Sequence, residues 1–244
     1  MGLIKLVKLA LLEEKNQKRR KDVLTEFIQN IYTADSLSPA DSKNNLEQAV
    51  VELVYSNGQH AACGLLITTD GYFITCHHCI EGGNSLDIVL ASGKQYPVKK
   101  VCAFSKKYDI ALVKAEIPEL SQAYRYRFFV NNQLNQAEKL NKDIIVVLTR
   151  WNRKLIINGG LSEGHIYKSV DSRDVNNKKK IYANQAHFQI KLKAGDSGGV
   201  AISSLEKRVY GVHSCGDNDD SLFVLWHNVM ELIIRYTHSK VEFE

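Results

Sequence analysis

Gly195-Asp196-Ser197-Gly198-Gly199 sets one serine among three glycines. Glycine on both sides permits a tight turn that presents the hydroxyl. It also leaves room for a substrate carbonyl to approach main-chain N–H groups. A serine hydroxyl is a weak nucleophile, so it needs a histidine base, and the histidine needs a carboxylate to hold its tautomer. Two upstream segments offer both. Thr75-Cys76-His77-His78-Cys79 closes one run of strand-forming residues, and Asp109-Ile110-Ala111-Leu112 opens another.

Outward from these segments the texture is that of strands. Short aliphatic or β-branched runs cover 49–55, 64–68, 72–75, 86–90 and 110–114. A second set covers 144–148, 155–157, 188–192, 200–202, 209–212 and 222–225. Turn formers separate them, as at Ser56-Asn57-Gly58, Asp70-Gly71 and Gly82-Gly83-Asn84. Regular short strands with glycine-rich turns predict β-barrels: one over about 46–116 and another over 141–226, joined by a linker at 117–140. Asn228 with Glu231 three residues on is a capping-box pattern, and Val229, Leu232, Ile233 and Tyr236 share a face. A helix over 228–238 follows. Residues 1–45 read as a helical extension, on the spacing of Val23, Leu24, Phe27, Ile28, Ile31 and Tyr32.

Composition narrows the function classes. The chain has 244 residues, 44% hydrophobic and 24% charged, with only 3 prolines, which excludes collagen-like or wholly disordered sequence. A net charge of +5 is too small to demand nucleic acid. Lys18-Arg19-Arg20-Lys21 reads as a solvated helix face, with contact to a membrane or partner as the alternative. No apolar run approaches the ~20 residues of a membrane helix. Leu3 to Leu12 is broken by Lys5 and Lys8 and lacks a small-residue cleavage site, so no signal peptide is expected. Cytoplasmic residence, or export by a non-classical route, is the corresponding expectation. Five cysteines cannot all pair within one chain. Cys76 and Cys79 have C-x-x-C spacing, but no second Cys/His pair accompanies them, and strand alternation would point neighbouring side chains apart. Neither metal nor cofactor is expected.

The three segments resemble those of the chymotrypsin-fold, trypsin-like serine endopeptidases, in that family's order of His, Asp, Ser. The family's Thr-Ala-Ala-His-Cys places the base at His78, not His77. Its Asp-Ile-Ala-Leu is matched unchanged at Asp109, and its Gly-Asp-Ser-Gly-Gly at Ser197. The likeness covers about 49–238. It is closest to the bacterial HtrA-like and glutamyl-endopeptidase branches, through CGLLITTDGYFITCHHCI at 63–80 and INGGLSEG at 157–164.

The resemblance implies an all-β protein of two six-stranded antiparallel barrels with a C-terminal helix, preceded here by the helical extension. It implies peptide hydrolysis through an acyl-enzyme, with His78, Asp109 and Ser197 catalytic and the Gly195 and Ser197 amides as oxyanion hole. His213, Ser214 and Gly216 would contact substrate. In the glutamyl-endopeptidase branch a histidine at position 213 helps bind an acidic side chain, so cleavage after Glu or Asp, or after Gln as a neutral variant, is expected. Lys191 and Lys193 would add positive potential. A Cys63–Cys79 bridge is also implied, oxidised or reduced according to compartment. No Ile-Val-Gly-Gly activation sequence precedes the first strand, so Asp196 must find another partner. The alternative from a different class is an inactive relative serving as a binding scaffold; an esterase would share the chemistry.

Overall fold

The computed structural model describes residues 46–68, 70–118, 144–173, 179–204, 209–217 and 220–238. The helical extension expected over 1–45 and most of the linker lie outside the described residues. The strands are β1 (Val50–Tyr55), β2 (His60–Leu66), β3 (Tyr72–Thr75), β4 (Leu86–Val89), β5 (Gln95–Ser105) and β6 (Ile110–Ala115). After them come β7 (Ile144–Trp151), β8 (Lys154–Arg173), β9 (Lys179–Gln189), β10 (Val200–Ser203), β11 (Val209–Asp217) and β12 (Asp220–Leu225). A helix, α1 (Trp226–His238), closes the described chain.

The first six strands form a closed antiparallel barrel in the order β1-β2-β3-β6-β5-β4. The other six form an antiparallel sheet in the order β10-β11-β12-β9-β8-β7, whose end strands β7 and β10 also pair, Leu148 facing Val200. β1 is apolar almost throughout because both of its faces are covered. Val51 and Leu53 point into the first barrel with Leu66, Phe73, Ile88 and Val113. Val50 joins a cluster that runs from Leu65, Ile74 and Leu112 to Leu148, Val200, Val212 and the helix residues Trp226 and Ile233. That cluster is the seam between the sheets. Buried Arg150 fastens it: its Nε donates to Val50 O (2.7 Å) and its Nη2 to Glu47 O (2.7 Å).

Three sequence expectations are corrected. β5 lacks an apolar run and was not expected, because register shifts at 98–100 and 101–103 break its alternation. β9 was expected at 188–192 but spans Lys179–Gln189, held by a long polar ladder to β8 that apolar pattern does not reveal. α1 begins at Trp226, so Asn228 lies inside its first turn and is no N-cap, while Glu231 pairs with Arg235. The fully buried Trp226 pulls the helix start directly onto the end of β12. Among the described residues no helix is long and apolar enough to cross a membrane.

Candidate active site

β3 ends at Thr75, and the chain turns through a single 3-10 turn at His77–Cys79 with Cys76 as its N-cap. The turn separates two adjacent histidines. His77 is buried against Phe104, ring centroids 4.8 Å apart, whereas the His78 side chain stays 32% exposed. Asp109 stands at the mouth of β6 with φ +55, a left-handed conformation that aspartate tolerates better than most residues. Gly198 (φ +84) packs so close to β2 that an added Cβ would lie 1.9 Å from the Cys63 carbonyl oxygen.

These elements bring the three expected side chains together. His78 Nδ1 lies 2.8 Å from Asp109 Oδ2, and the His78 backbone N–H donates to Asp109 Oδ1 at 3.0 Å. His78 Nε2 lies 3.1 Å from Ser197 Oγ. In the neutral ring Nδ1–H donates to the carboxylate, and Nε2 keeps the lone pair that can take the serine proton. Burial opposes the His78 imidazolium, but the Cys79 sulfur and the Asp109 carboxylate outweigh it and shift the ring's pKa upward from its ordinary value. A hydrogen bond with the Cys76 thiol holds Cys79 low, burial notwithstanding, and His78 pulls in the same direction.

The Ser197 turn leaves two amides available. The Asp196, Gly198 and Gly199 amides donate to backbone carbonyls, while among the described residues those of Gly195 and Ser197 donate to none. Asp196 is buried; its Oδ2 accepts the Lys193 N–H at 2.9 Å and its Oδ1 has no partner among the described residues.

Ser214 has a part that the sequence did not disclose. A β-bulge at 213–215 leaves it without an opposite number in β12. Its hydroxyl donates to Asp109 Oδ2 (2.5 Å), and its carbonyl lies 3.0 Å from Ser197 Oγ. His60 was missed too. It lies between Glu52 Oε1 and Gly195 O, 2.9 Å from each, and stacks on Trp151. The available signal was Glu52 itself, a carboxylate in the apolar strand VVELVY that had to find partners. Lys193 reaches over Trp151, Nζ 4.0 Å from the ring centroid. Gly216 is exposed at the end of β11.

The implied Cys63–Cys79 bridge is not formed, because the two sulfurs face different partners. Cys63 Sγ lies 3.4 Å from Arg150 O, while Cys79 Sγ lies 3.5 Å from His78 Nε2. Burial pushes the Cys63 thiol up to about 12.

His213 is buried beside Phe223, and neither of its ring nitrogens has a hydrogen-bond partner among the described residues. Burial outweighs the opposing pull of Asp196 and lowers its pKa to about 4. The native state therefore refuses a proton that the unfolded chain accepts near pH 6.5. Stability contributed this way is whole above that pH and is lost as pH falls toward 4, by about 3 kcal/mol. Thermal unfolding from pH 7 to 4 should show this fall, and His213→Gln should flatten it. An unchanged slope in the variant would assign the acid sensitivity elsewhere.

Residues 62–212, more than half of the chain, match the family model described as a trypsin-like peptidase domain. A search of curated proteins returned no match.

Proposed function

The chain belongs to the trypsin-like peptidase family, and on that premise we propose that it is an active serine endopeptidase of bacterial type. Its two strand rings serve as the family's paired barrels. Ser197 attacks the scissile carbonyl while His78 takes the hydroxyl proton and later returns it to the leaving amine. Asp109 keeps the imidazole in the required tautomer and stabilises the imidazolium. The Gly195 and Ser197 amides receive the developing oxyanion, each such donor being worth roughly 3 kcal/mol of transition-state stabilisation. Ser214 and Gly216 on β11 hold the substrate backbone.

One observation carries this reading: the unbroken hydrogen-bonded line from Asp109 through His78 to Ser197, with distances of 2.8 and 3.1 Å. An inactive scaffold has no need to keep that line or two uncommitted amides beside the hydroxyl.

His213 supports a preference on the acyl side. Its pKa of about 4 keeps the ring neutral at physiological pH. A neutral imidazole donates a hydrogen bond to a side-chain amide at little cost, whereas a carboxylate brings a charge that needs a cation. Lys193 is engaged with Trp151, so we place Gln ahead of Glu and Asp.

The test is active-site labelling with a fluorophosphonate, joined to a peptide-library digest. One equivalent of label should map to the peptide containing Ser197, with cleavage enriched after Gln. Folded protein that takes no label at Ser197 would favour the scaffold; labelling with ester but no peptide turnover would favour the esterase.

A further inference from the structure

The C-x-x-C pair was set aside on the want of a second Cys/His pair and on strand alternation, and the second premise fails in the structure. The strand stops at Thr75, and Cys76 to Cys79 follow a 3-10 turn in which residues three apart fall on the same side. Cys76 Sγ, Cys79 Sγ and a ring nitrogen of His78 all lie within 4.8 Å of one another. We propose that Cys76, His78 and Cys79 bind one zinc ion, and that its binding switches the enzyme off.

The geometry suits the ion. Tetrahedral zinc with bonds of about 2.3 Å to sulfur and about 2.05 Å to nitrogen holds those two donors about 3.5 Å apart. Cys79 Sγ and His78 Nε2 are 3.5 Å apart. Two sulfurs and one imidazole form a soft donor set that selects zinc over magnesium or calcium. Ser197 Oγ, 3.1 Å from the same nitrogen, offers the fourth donor.

The surroundings are those of a metal-ligating histidine. Its other nitrogen, Nδ1, lies 2.8 Å from a buried carboxylate, Asp109, which fixes the tautomer and leaves Nε2 free to ligate. Cys76 is wholly buried, Cys79 half-buried and His78 partly exposed, so an ion would reach the sulfurs from the imidazole side. On binding, two protons pass to solvent from the Cys76, His78 and Cys79 group, and zinc gives up water. The ion then occupies the nitrogen that Ser197 requires, and the hydroxyl loses its base. Binding stands on the donor geometry alone; the loss of activity rests on the peptidase reading.

Cobalt(II) added to the reduced, metal-free full chain tests binding without reference to turnover. One equivalent should produce thiolate-to-cobalt charge-transfer absorption, and zinc should abolish it by displacement. Cys76→Ser and Cys79→Ser should each lose the band, while Cys102→Ser, outside the cluster, keeps it. Because a cysteine variant could misfold, X-ray absorption of the zinc-loaded wild-type chain provides a second measurement. Two sulfurs at about 2.3 Å are expected. No band, a band surviving in both cluster variants, or a shell of nitrogen and oxygen alone would overturn the site. Stoichiometric zinc should also stop peptide hydrolysis and fluorophosphonate labelling, with recovery on chelation. Full activity with zinc bound would overturn the switch. A chain that binds cobalt as described but is inert without metal would instead remove the peptidase reading and leave the site standing.

Discussion

Asp109→Asn is expected to lower kcat about ten-thousandfold while the protein stays folded. The backbone tolerates the change, because φ +55 is a conformation that asparagine adopts as readily as aspartate. The loss comes from hydrogen-bond accounting. Oδ1 accepts the His78 backbone N–H, and Oδ2 faces both His78 Nδ1 and the Ser214 hydroxyl. An amide group must put its NH2 on one side. Toward the backbone N–H it meets a donor that cannot turn away, at a cost of about 1–3 kcal/mol. Toward Nδ1 it donates, the Ser214 hydroxyl rotates, and the imidazole proton moves to Nε2. The second orientation costs less, and it leaves the base without a lone pair facing Ser197.

Two readouts separate this from general damage. Thermal unfolding should stay close to wild type, whereas Asp109→Ala would add left-handed strain at alanine. The ascending limb of kcat/KM against pH should also move to lower pH, since a carboxylate that favours the imidazolium has been removed. A variant retaining wild-type kcat would disconnect Asp109 from the chemistry.

What could be read in advance follows physical range. Ser197, Asp109 and the neighbourhood of His78 were legible because turn glycines, hydroxyl, imidazole and carboxylate each sit in short local segments. The choice of His78 over His77 came from resemblance; its structural reason is a 3-10 turn that sends one ring against Phe104 and the other toward Ser197. Ser214 was expected to touch substrate, yet its link to Asp109 depends on a bulge in the β11–β12 register, which no local pattern encodes. His60 escaped because its partners, Glu52 and Gly195, are 8 and 135 residues away. The placement of Cys76 and Cys79 was missed by carrying the two-residue strand period past Thr75, where the chain enters a 3-10 turn. β5 was lost to its bulges, which put Lys99 and Lys100 where alternation calls for something else. The first barrel, by contrast, announced itself in β1, β3 and β6, whose core faces need long apolar runs.

Gly198→Ala should be the most damaging single-methyl change in the described chain. Its Cβ would lie 1.9 Å from Cys63 O and 2.8 Å from Thr75 Oγ1. Neither wall can retreat. The Cys63 carbonyl is held by the Thr75 hydroxyl at 2.8 Å, and the Cys63 N–H donates to Ser197 O at 2.7 Å. On the other side, Gly198 N donates to His213 O at 2.8 Å and His213 N to Gly199 O at 2.7 Å. The methyl therefore has to drive β2 and β11 apart at the point where Ser197 meets His78. A loss of about 4 kcal/mol is expected, which for a chain of this size lowers Tm by about 8–16 °C. Displacing the hydroxyl by as little as 1 Å would cost roughly a hundredfold more in rate. Gly83→Ala is the control. It shares the left-handed backbone (φ +64) but an added Cβ there meets nothing within 4 Å, so it should cost only about 1–2 kcal/mol and leave kcat alone. The difference between the two variants isolates the collision from the strain. Equal effects on Tm and kcat would mean that the serine turn is not clamped between the two sheets.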